Sequence, residues 1–278
     1  GKYNREVCAD GKAIYIDDAA FRVYNETDPA NLPWAEHDID IVFECTGVFT
    51  DEADLRKHIE AGAKRVVLSA PARTETMTTV VHGVNSAEAR DQEIISCASC
   101  TTNCITPVVE VLDRVMGIEK AVMTTVHAYT STQGLVDGPN KNFRRGRAAA
   151  NNFVPTSTGA ALATAKALPQ LSGRFDGIAI RGPVALGSLA DIVVVTSRDT
   201  TVEEVNSAFR REAEEDRYAY VLGVTEEPLV SSDIIGDPRA SIISLDMTTV
   251  VAGNLVKVLS WYDNEWGYAN QMIRQAVL

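Results

Sequence analysis

The chain has 278 residues, 45% of them hydrophobic, and a formal net charge of −12. It is therefore long enough to bury substantial cores in one large or two medium domains, and too acidic for a nucleic-acid backbone to be its main partner. Five cysteines, at positions 8, 45, 97, 100 and 104, form no even framework of the kind that staples small secreted domains, so reduced thiols in a cytoplasm are expected. No uninterrupted apolar run reaches the roughly 18 residues of a membrane span, and the start Gly1-Lys2-Tyr3-Asn4 has no signal-peptide apolar region.

Asp40-Ile41-Val42-Phe43-Glu44-Cys45 reads as a buried strand, Asp51 to Ala61 as a helix with acids in its first turn and Gly62 just past it, and Arg65-Val66-Val67-Leu68 as the next strand. That alternation is a βαβ unit, hence a parallel sheet with a crossover helix. A third strand, Glu93 to Ser96, leads towards Cys100. Beyond it, Ile105, Val108, Val109, Leu112, Val115 and Met116 recur at spacings of three and four and predict a helix. Cys100 thus stands at a strand-to-helix junction, where unpaired N–H groups and the positive end of the macrodipole favour the nucleophilic thiolate.

Farther along, Ala121 to Val126 and Asp191 to Thr196 are strand-like. Thr200 to Asp216 is a helix opened by Thr200, with Glu203 three residues on. Thr248 to Trp261 is two β-branched runs around Ala252-Gly253-Asn254, a hairpin pattern. Asp137 to Asn152, rich in arginine and without periodicity, reads as a long ordered loop, and Gly267 to Leu278 as a final helix. The expected fold is an α/β Rossmann-like parallel sheet followed by an α+β unit with a mainly antiparallel sheet. The boundary falls near Cys100, with residues 1–99 and the helix 264–278 on one side and residues 100–263 on the other.

The run Ala98-Ser99-Cys100-Thr101-Thr102-Asn103-Cys104 resembles the active-site signature of the phosphorylating glyceraldehyde-3-phosphate dehydrogenases. Supporting matches follow in the family's order: Thr125-Val126-His127-Ala128, Val136-Asp137-Gly138-Pro139, Pro155-Thr156-Ser157-Thr158-Gly159-Ala160-Ala161 and Ser260-Trp261-Tyr262-Asp263-Asn264-Glu265. The resemblance implies an oxidoreductase in which a thiol attacks an aldehyde, hydride leaves to nicotinamide, and inorganic phosphate splits the thioester to an acyl phosphate.

By the same resemblance Cys100 is the nucleophile and His127 the base that pairs with it. Ser99, Thr101, Thr158 and Gly159 match the site for the attacking phosphate and the reacting carbon. Thr130, Arg144 and Arg181 match positions around the phosphate of the phosphorylated aldehyde, where hydroxyls and guanidinium forks are needed. Arg144 is preferred to Arg145 and Arg147 by counting back from Arg147-Ala148-Ala149 with a one-residue deletion near Asn140. His37, His58 and His82 sit in no comparable context and receive no role.

For the cofactor, Asn264 resembles the asparagine that holds the nicotinamide carboxamide, and Thr46-Gly47 and Ser69 end two parallel strands, the edge where open α/β sheets place ligands. Gly138-Pro139 resembles the pair of NAD-using members, so NAD is expected, with NADP the alternative. The resemblance also implies a homotetramer in which the 137–152 loop lines a neighbour's cofactor site, and no metal. No glycine-rich pyrophosphate turn precedes Asp40. The chain therefore resembles a member lacking its first roughly 50 residues, the size of a βαβ unit plus its connections.

Departures from the family pattern are Thr27, Cys45, Cys97 and the run Gly182-Pro183-Val184-Ala185-Leu186-Gly187 after Arg181. Three other readings compete. Erythrose-4-phosphate dehydrogenase shares the thiol, histidine and arginines but hydrolyses its thioester. Cys97, Cys100 and Cys104 could ligate a metal or an iron–sulfur cluster, although no fourth ligand is visible. A non-catalytic interaction role on the same scaffold is the third.

Overall fold

The computed structural model describes residues 3–278; the N-terminal reading at Gly1 and Lys2 lies outside the described residues. The chain opens with a three-stranded antiparallel meander of β1 (Val7–Ala9), β2 (Ala13–Ile16) and β3 (Ala19–Arg22). These strands are mostly exposed and were not anticipated. Each is three or four residues long, too short for alternation to register.

The predicted βαβ unit is present. β4 (Ile41–Glu44), β5 (Arg65–Leu68) and β6 (Ile94–Ser96) form a parallel sheet in that order, with α1 (Glu52–Glu60) crossing between the first two. Leu55 of α1 is fully buried against Val66, Leu68 and Ile94. Gly62 follows the helix at φ +112°, where a Cβ would sit 2.5 Å from that of Ala35. Only glycine both turns the chain there and lets Ala35 approach.

α2 (Cys100–Met116) begins at the cysteine itself, earlier than the apolar periodicity indicates, because its first turn is polar and buried. A seven-stranded mixed sheet follows, in the order β11-β12-β13-β10-β7-β9-β8. Its strands are β7 (Ile118–Ala128), β8 (Val154–Ser157), β9 (Phe175–Gly182), β10 (Ser188–Thr196), β11 (Leu222–Thr225), β12 (Ser241–Val251) and β13 (Leu255–Tyr262). β11 and β12 run parallel, as do β7 and β9, and the other neighbours are antiparallel. The predicted hairpin is β12 and β13, with Ala252 and Gly253 at φ +50° and +84° in its turn.

Helices α3 (Ala160–Ala167) and α4 (Val202–Glu212) complete this unit. Every second residue of β10, Ala190, Ile192 and Val194, meets Val256 and Val258 of β13 and Ile105, Val108 and Leu112 of α2 in one core. The opposite face is open: Val122 and Ile178 are 59% and 50% exposed.

Two boundaries of α4 need correction. Thr201, not Thr200, caps it, accepting the Glu204 N–H at 3.2 Å, while the Thr200 hydroxyl donates to the Glu204 carboxylate at 2.8 Å. The run Thr200-Thr201-Val202-Glu203-Glu204 offers the same capping pattern in two registers, and packing of Val205 and Phe209 selects the second. The helix also ends at Glu212, before a separate 3₁₀ turn at Asp216–Tyr218.

α5 (Trp266–Ala276) returns to the first parallel sheet, where Met272 and Ala276 pack on Val67, Val80, Ile95 and Cys97. Cys97 thus belongs to an apolar cluster, and among the described residues no three His, Cys, Asp or Glu side chains gather as a metal site. Among the described residues, no helix is long and apolar enough to cross a membrane.

Candidate active site

Three residues connect β6 to α2, and their backbone is unusual. Ala98 adopts φ +56°, a left-handed conformation that costs an L residue roughly 1–2 kcal/mol. Its surroundings hold it there. Ala98 N–H donates to Ser96 Oγ at 3.0 Å, Tyr268 Oη donates to the Ala98 carbonyl at 3.1 Å, and Asn103 Nδ2 donates to the carbonyls of Cys97 and Ser99 at 2.8 and 2.9 Å. Ser99 then caps the helix, its Oγ accepting the Thr102 N–H at 3.2 Å. Cys100 is therefore fixed as the first helical residue.

Cys100 Sγ lies 3.4 Å from Nε2 of His127, near the end of β7. The imidazole is 3% exposed, and its Nδ1 lies 2.7 Å from the carbonyl oxygen of Ala128. Parallel pairing of β7 with β9 puts His127 directly beside Arg181. The guanidinium Nη1 donates to the Ala128 carbonyl at 3.0 Å and sits 2.6 Å from His127 Nδ1. Tyr262 meets the imidazole edge-on at 5.8 Å, and its hydroxyl lies 2.8 Å from those of both Thr101 and Thr125.

Burial governs the ionisation of these groups. It pushes the Cys100 thiol upward, opposed by the Thr101 hydroxyl and N–H and by the Arg181 charge. The positive end of α2 favours the thiolate and acts against this desolvation. Burial, then Arg181, holds His127 down to about 4 against the help of the Ala128 carbonyl. Burial pushes Cys97 up to about 12, and Cys104 likewise despite the Ser260 and Ser241 hydroxyls beside it. Of the three cysteines in the run, only Cys100 combines partial exposure with a base and a cation at hand.

The anticipated phosphate ligands are placed unevenly. Thr101 is engaged with Tyr262, and Ser99 with the helix cap. Thr158 accepts the Ala160 N–H at 3.2 Å, and Gly159 caps α3. The Thr106 and Thr164 hydroxyls, 3.0 Å apart, tie α2 to α3. Thr130 lies in the loop after β7, its hydroxyl 3.0 Å from that of Thr132, and makes no hydrogen bond to the Cys100–His127 pair.

Arg144 is exposed and borders an open cavity of about 750 Å³ with Lys141, Phe143 and Ser157. Arg145 instead is tied to β8, donating to Thr156 Oγ1 at 2.9 Å and to the Ser157 carbonyl at 3.3 Å, and its charge is felt by Arg181. Of the two, Arg145 is the one whose charge reaches Arg181, the residue that sits beside His127. Three closely spaced arginines in Arg144-Arg145-Gly146-Arg147 offer registers that the sequence alone does not separate.

On the cofactor side, Thr46 and Gly47 follow β4 and Ser69 follows β5, at the carboxyl edge of the parallel sheet. Gly47 has φ +71°, with nothing within 4 Å of where a Cβ would stand. Sequence reasoning missed what shapes this turn. Glu44, 3% exposed, accepts the Thr46 N–H at 2.7 Å and also its hydroxyl, and is itself bonded to His58 Nε2 at 3.1 Å. Trp34 Nε1 donates to His58 Nδ1 at 3.1 Å, so His58 presents Nε2–H to the carboxylate. The signal was the carboxylate closing an otherwise apolar strand. Asn264, 8% exposed, accepts a hydrogen bond from Ser188 Oγ at 2.9 Å, and its amide nitrogen has no partner among the described residues. An open glycine turn at a strand edge and a free amide donor beside Ser188 fit the nicotinamide end of a dinucleotide.

Two family models match the chain. The glyceraldehyde 3-phosphate dehydrogenase NAD-binding domain matches residues 1–52, and the C-terminal domain of the same enzymes matches residues 99–264. Among similar proteins, glyceraldehyde-3-phosphate dehydrogenase 2 of Streptomyces avermitilis is 50% identical over 275 residues, 98% of this chain and 82% of the relative. Glyceraldehyde-3-phosphate dehydrogenase 1 of Bacillus subtilis is 47% identical over 98% of this chain and 82% of its own length, and the Zymomonas mobilis enzyme 46% over 99% and 82%. With its reactive cysteine, histidine and arginine set on this fold, the chain belongs to the glyceraldehyde 3-phosphate dehydrogenase family.

Proposed function

We propose that the protein oxidises glyceraldehyde 3-phosphate with NAD and inorganic phosphate, forming the acyl phosphate and NADH through a thioester on Cys100. The observation that carries this reading is Cys100 Sγ at 3.4 Å from His127 Nε2, with Arg181 alongside. His127 takes the thiol proton as Sγ bonds to the aldehyde carbon, and returns it to the carbonyl oxygen. As the thiohemiacetal gives up its hydride, His127 recovers that proton. Inorganic phosphate then adds to the thioester carbon, and the C–S bond breaks with the electron pair returning to sulfur. NAD supplies the hydride acceptor.

In this reading Arg181 and Arg145, with Thr130, bind the phosphate of the aldehyde. Ser99, Thr101, Thr158 and Gly159 surround the attacking phosphate, and Thr46, Gly47, Ser69 and Asn264 hold the cofactor. Residues 1–99 with 264–278 form the NAD-binding unit and residues 100–263 the catalytic unit, in a cytoplasmic homotetramer. The uncovered sheet face carrying Val122, Val126 and Ile178 supports assembly with further copies.

Iodoacetamide labelling and steady-state assay of the Cys100→Ser and Cys104→Ser variants test the nucleophile. Turnover and the label at position 100 are expected to vanish in the first and survive in the second, whereas the exposed Cys8 and Cys45 label in both. Retained turnover without Cys100 would overturn the assignment. NADH formation should require phosphate; formation without it would favour the erythrose 4-phosphate reading.

A further inference from the structure

Ser188, the first residue of β10, is 1% exposed and stands between the two halves of the site. Its Oγ accepts the N–H of Ala128 at 3.2 Å and donates to Asn264 Oδ1 at 2.9 Å. Ala128 is the residue whose carbonyl meets His127 and Arg181, so one hydroxyl joins the base's backbone to the asparagine. The preceding Gly187 fixes the hydroxyl's place: at φ +84°, a Cβ there would lie 2.2 Å from the Ser231 carbonyl oxygen.

The direction of this relay follows from donor counting. A backbone N–H only donates, so Ser188 Oγ must accept from Ala128. The single hydroxyl proton then needs an acceptor, and among the described residues Asn264 Oδ1 is the one it has. Turning the Asn264 amide over would leave that proton unpaired in a buried site, a penalty that biases the orientation at least about fivefold.

We infer that Ser188 is a positioning residue that biases the donor sense of Asn264, so that the side chain presents N–H in preference to C=O to the carboxamide of the nicotinamide ring. The inference rests on the reading of Asn264 as the carboxamide ligand. A ring substituent that accepts is recognised, and the substituent's own amide donor is not required.

Calorimetric titration of the full chain compares NAD with 3-acetylpyridine adenine dinucleotide, which keeps the carbonyl acceptor and lacks the amide donor. In the Ser188→Ala variant Asn264 is free to turn. NAD still pairs with it through its amide N–H, but the acetyl analogue cannot. The ratio of analogue Kd to NAD Kd is expected to rise at least about fivefold over the parent. Equal weakening of both dinucleotides, the signature of mere structural damage, would overturn the proposal. If Ser188→Ala fails to fold, Ser188→Cys, with a weaker donor of similar shape, should raise the ratio by a smaller factor, and an unchanged ratio would likewise overturn it. Asn264→Ala separates the underlying reading: unchanged NAD affinity there removes Asn264 from the cofactor site, whereas weakened affinity with an unaltered ratio in the Ser188 variants refutes Ser188 alone.

Discussion

Arg181 Nη1 lies 2.6 Å from Nδ1 of His127, while Cys100 Sγ lies 3.4 Å from Nε2, so the imidazole stands between a permanent cation and the thiol. The pairing is a product of sheet register, since His127 and Arg181 are directly opposed on parallel neighbours. A guanidinium at that distance disfavours imidazolium, adding to the effect of burial.

Removing this charge should therefore raise the pKa of His127 from its depressed value of about 4. In Arg181→Ala the imidazole resonances, followed by NMR against pH, are expected to titrate at higher pH than in the parent. The KM for the phosphorylated aldehyde should rise about tenfold or more, with a smaller change in kcat, since a guanidinium–phosphate contact is mostly uniform binding. A His127 titration that stays in place or moves lower would show that Arg181 does not act on the base.

A second test concerns the neighbouring arginines. Arg145 is anchored on β8 within electrostatic reach of Arg181, whereas Arg144 faces the open cavity. Arg145→Ala is expected to raise the KM for the aldehyde severalfold, Arg145→Lys less because the charge is kept without the fork, and Arg144→Ala by under about twofold. The reverse ranking in steady-state assays would restore Arg144 to the site.

What the sequence made legible follows from how local each signal is. The strand-helix-strand pattern through Leu68, the helix after Cys100 and the hairpin at Ala252-Gly253 are written in periodicity or in turn residues within a few positions. The short motifs around Cys100 and His127 single out, for the same reason, two residues that the fold brings to 3.4 Å of each other. Contacts set by tertiary register were not legible. The opposition of His127 and Arg181, the Ser188 link to Asn264 and the Glu44–His58 bond join residues far apart in the chain, and nothing in the local pattern of His58 or Ser188 marks them. The cap of α4 at Thr201 rather than Thr200, and the choice between Arg144 and Arg145, fall where repeated residue types offer equivalent registers that only packing separates.

The last prediction concerns acid stability. Glu212 is 5% exposed and bonds to Arg114 at 2.5 Å and Arg217 at 3.3 Å, while Glu110 receives the same two arginines and the Tyr218 hydroxyl at 2.5 Å. This network ties α2 to α4 and to the turn after it. Burial alone would raise both carboxyls, but the hydrogen bonds and charges of Arg114, with Tyr218 at Glu110 and Arg217 at both, bring each below the ordinary 4.5. A carboxyl depressed on folding contributes stability that is present above its unfolded pKa and lost as pH falls through the folded one. Glu212→Gln should therefore destabilise the protein at pH 7 by about 1–3 kcal/mol, less than a fully buried pair because the arginines are 41% exposed. As pH falls through the depressed folded pKa the parent carboxyl also becomes neutral, and the two melting temperatures should converge. Thermal melts of both proteins from pH 7 down through the acid range check this, and a Tm difference that does not change with pH would show that the network contributes by shape rather than charge.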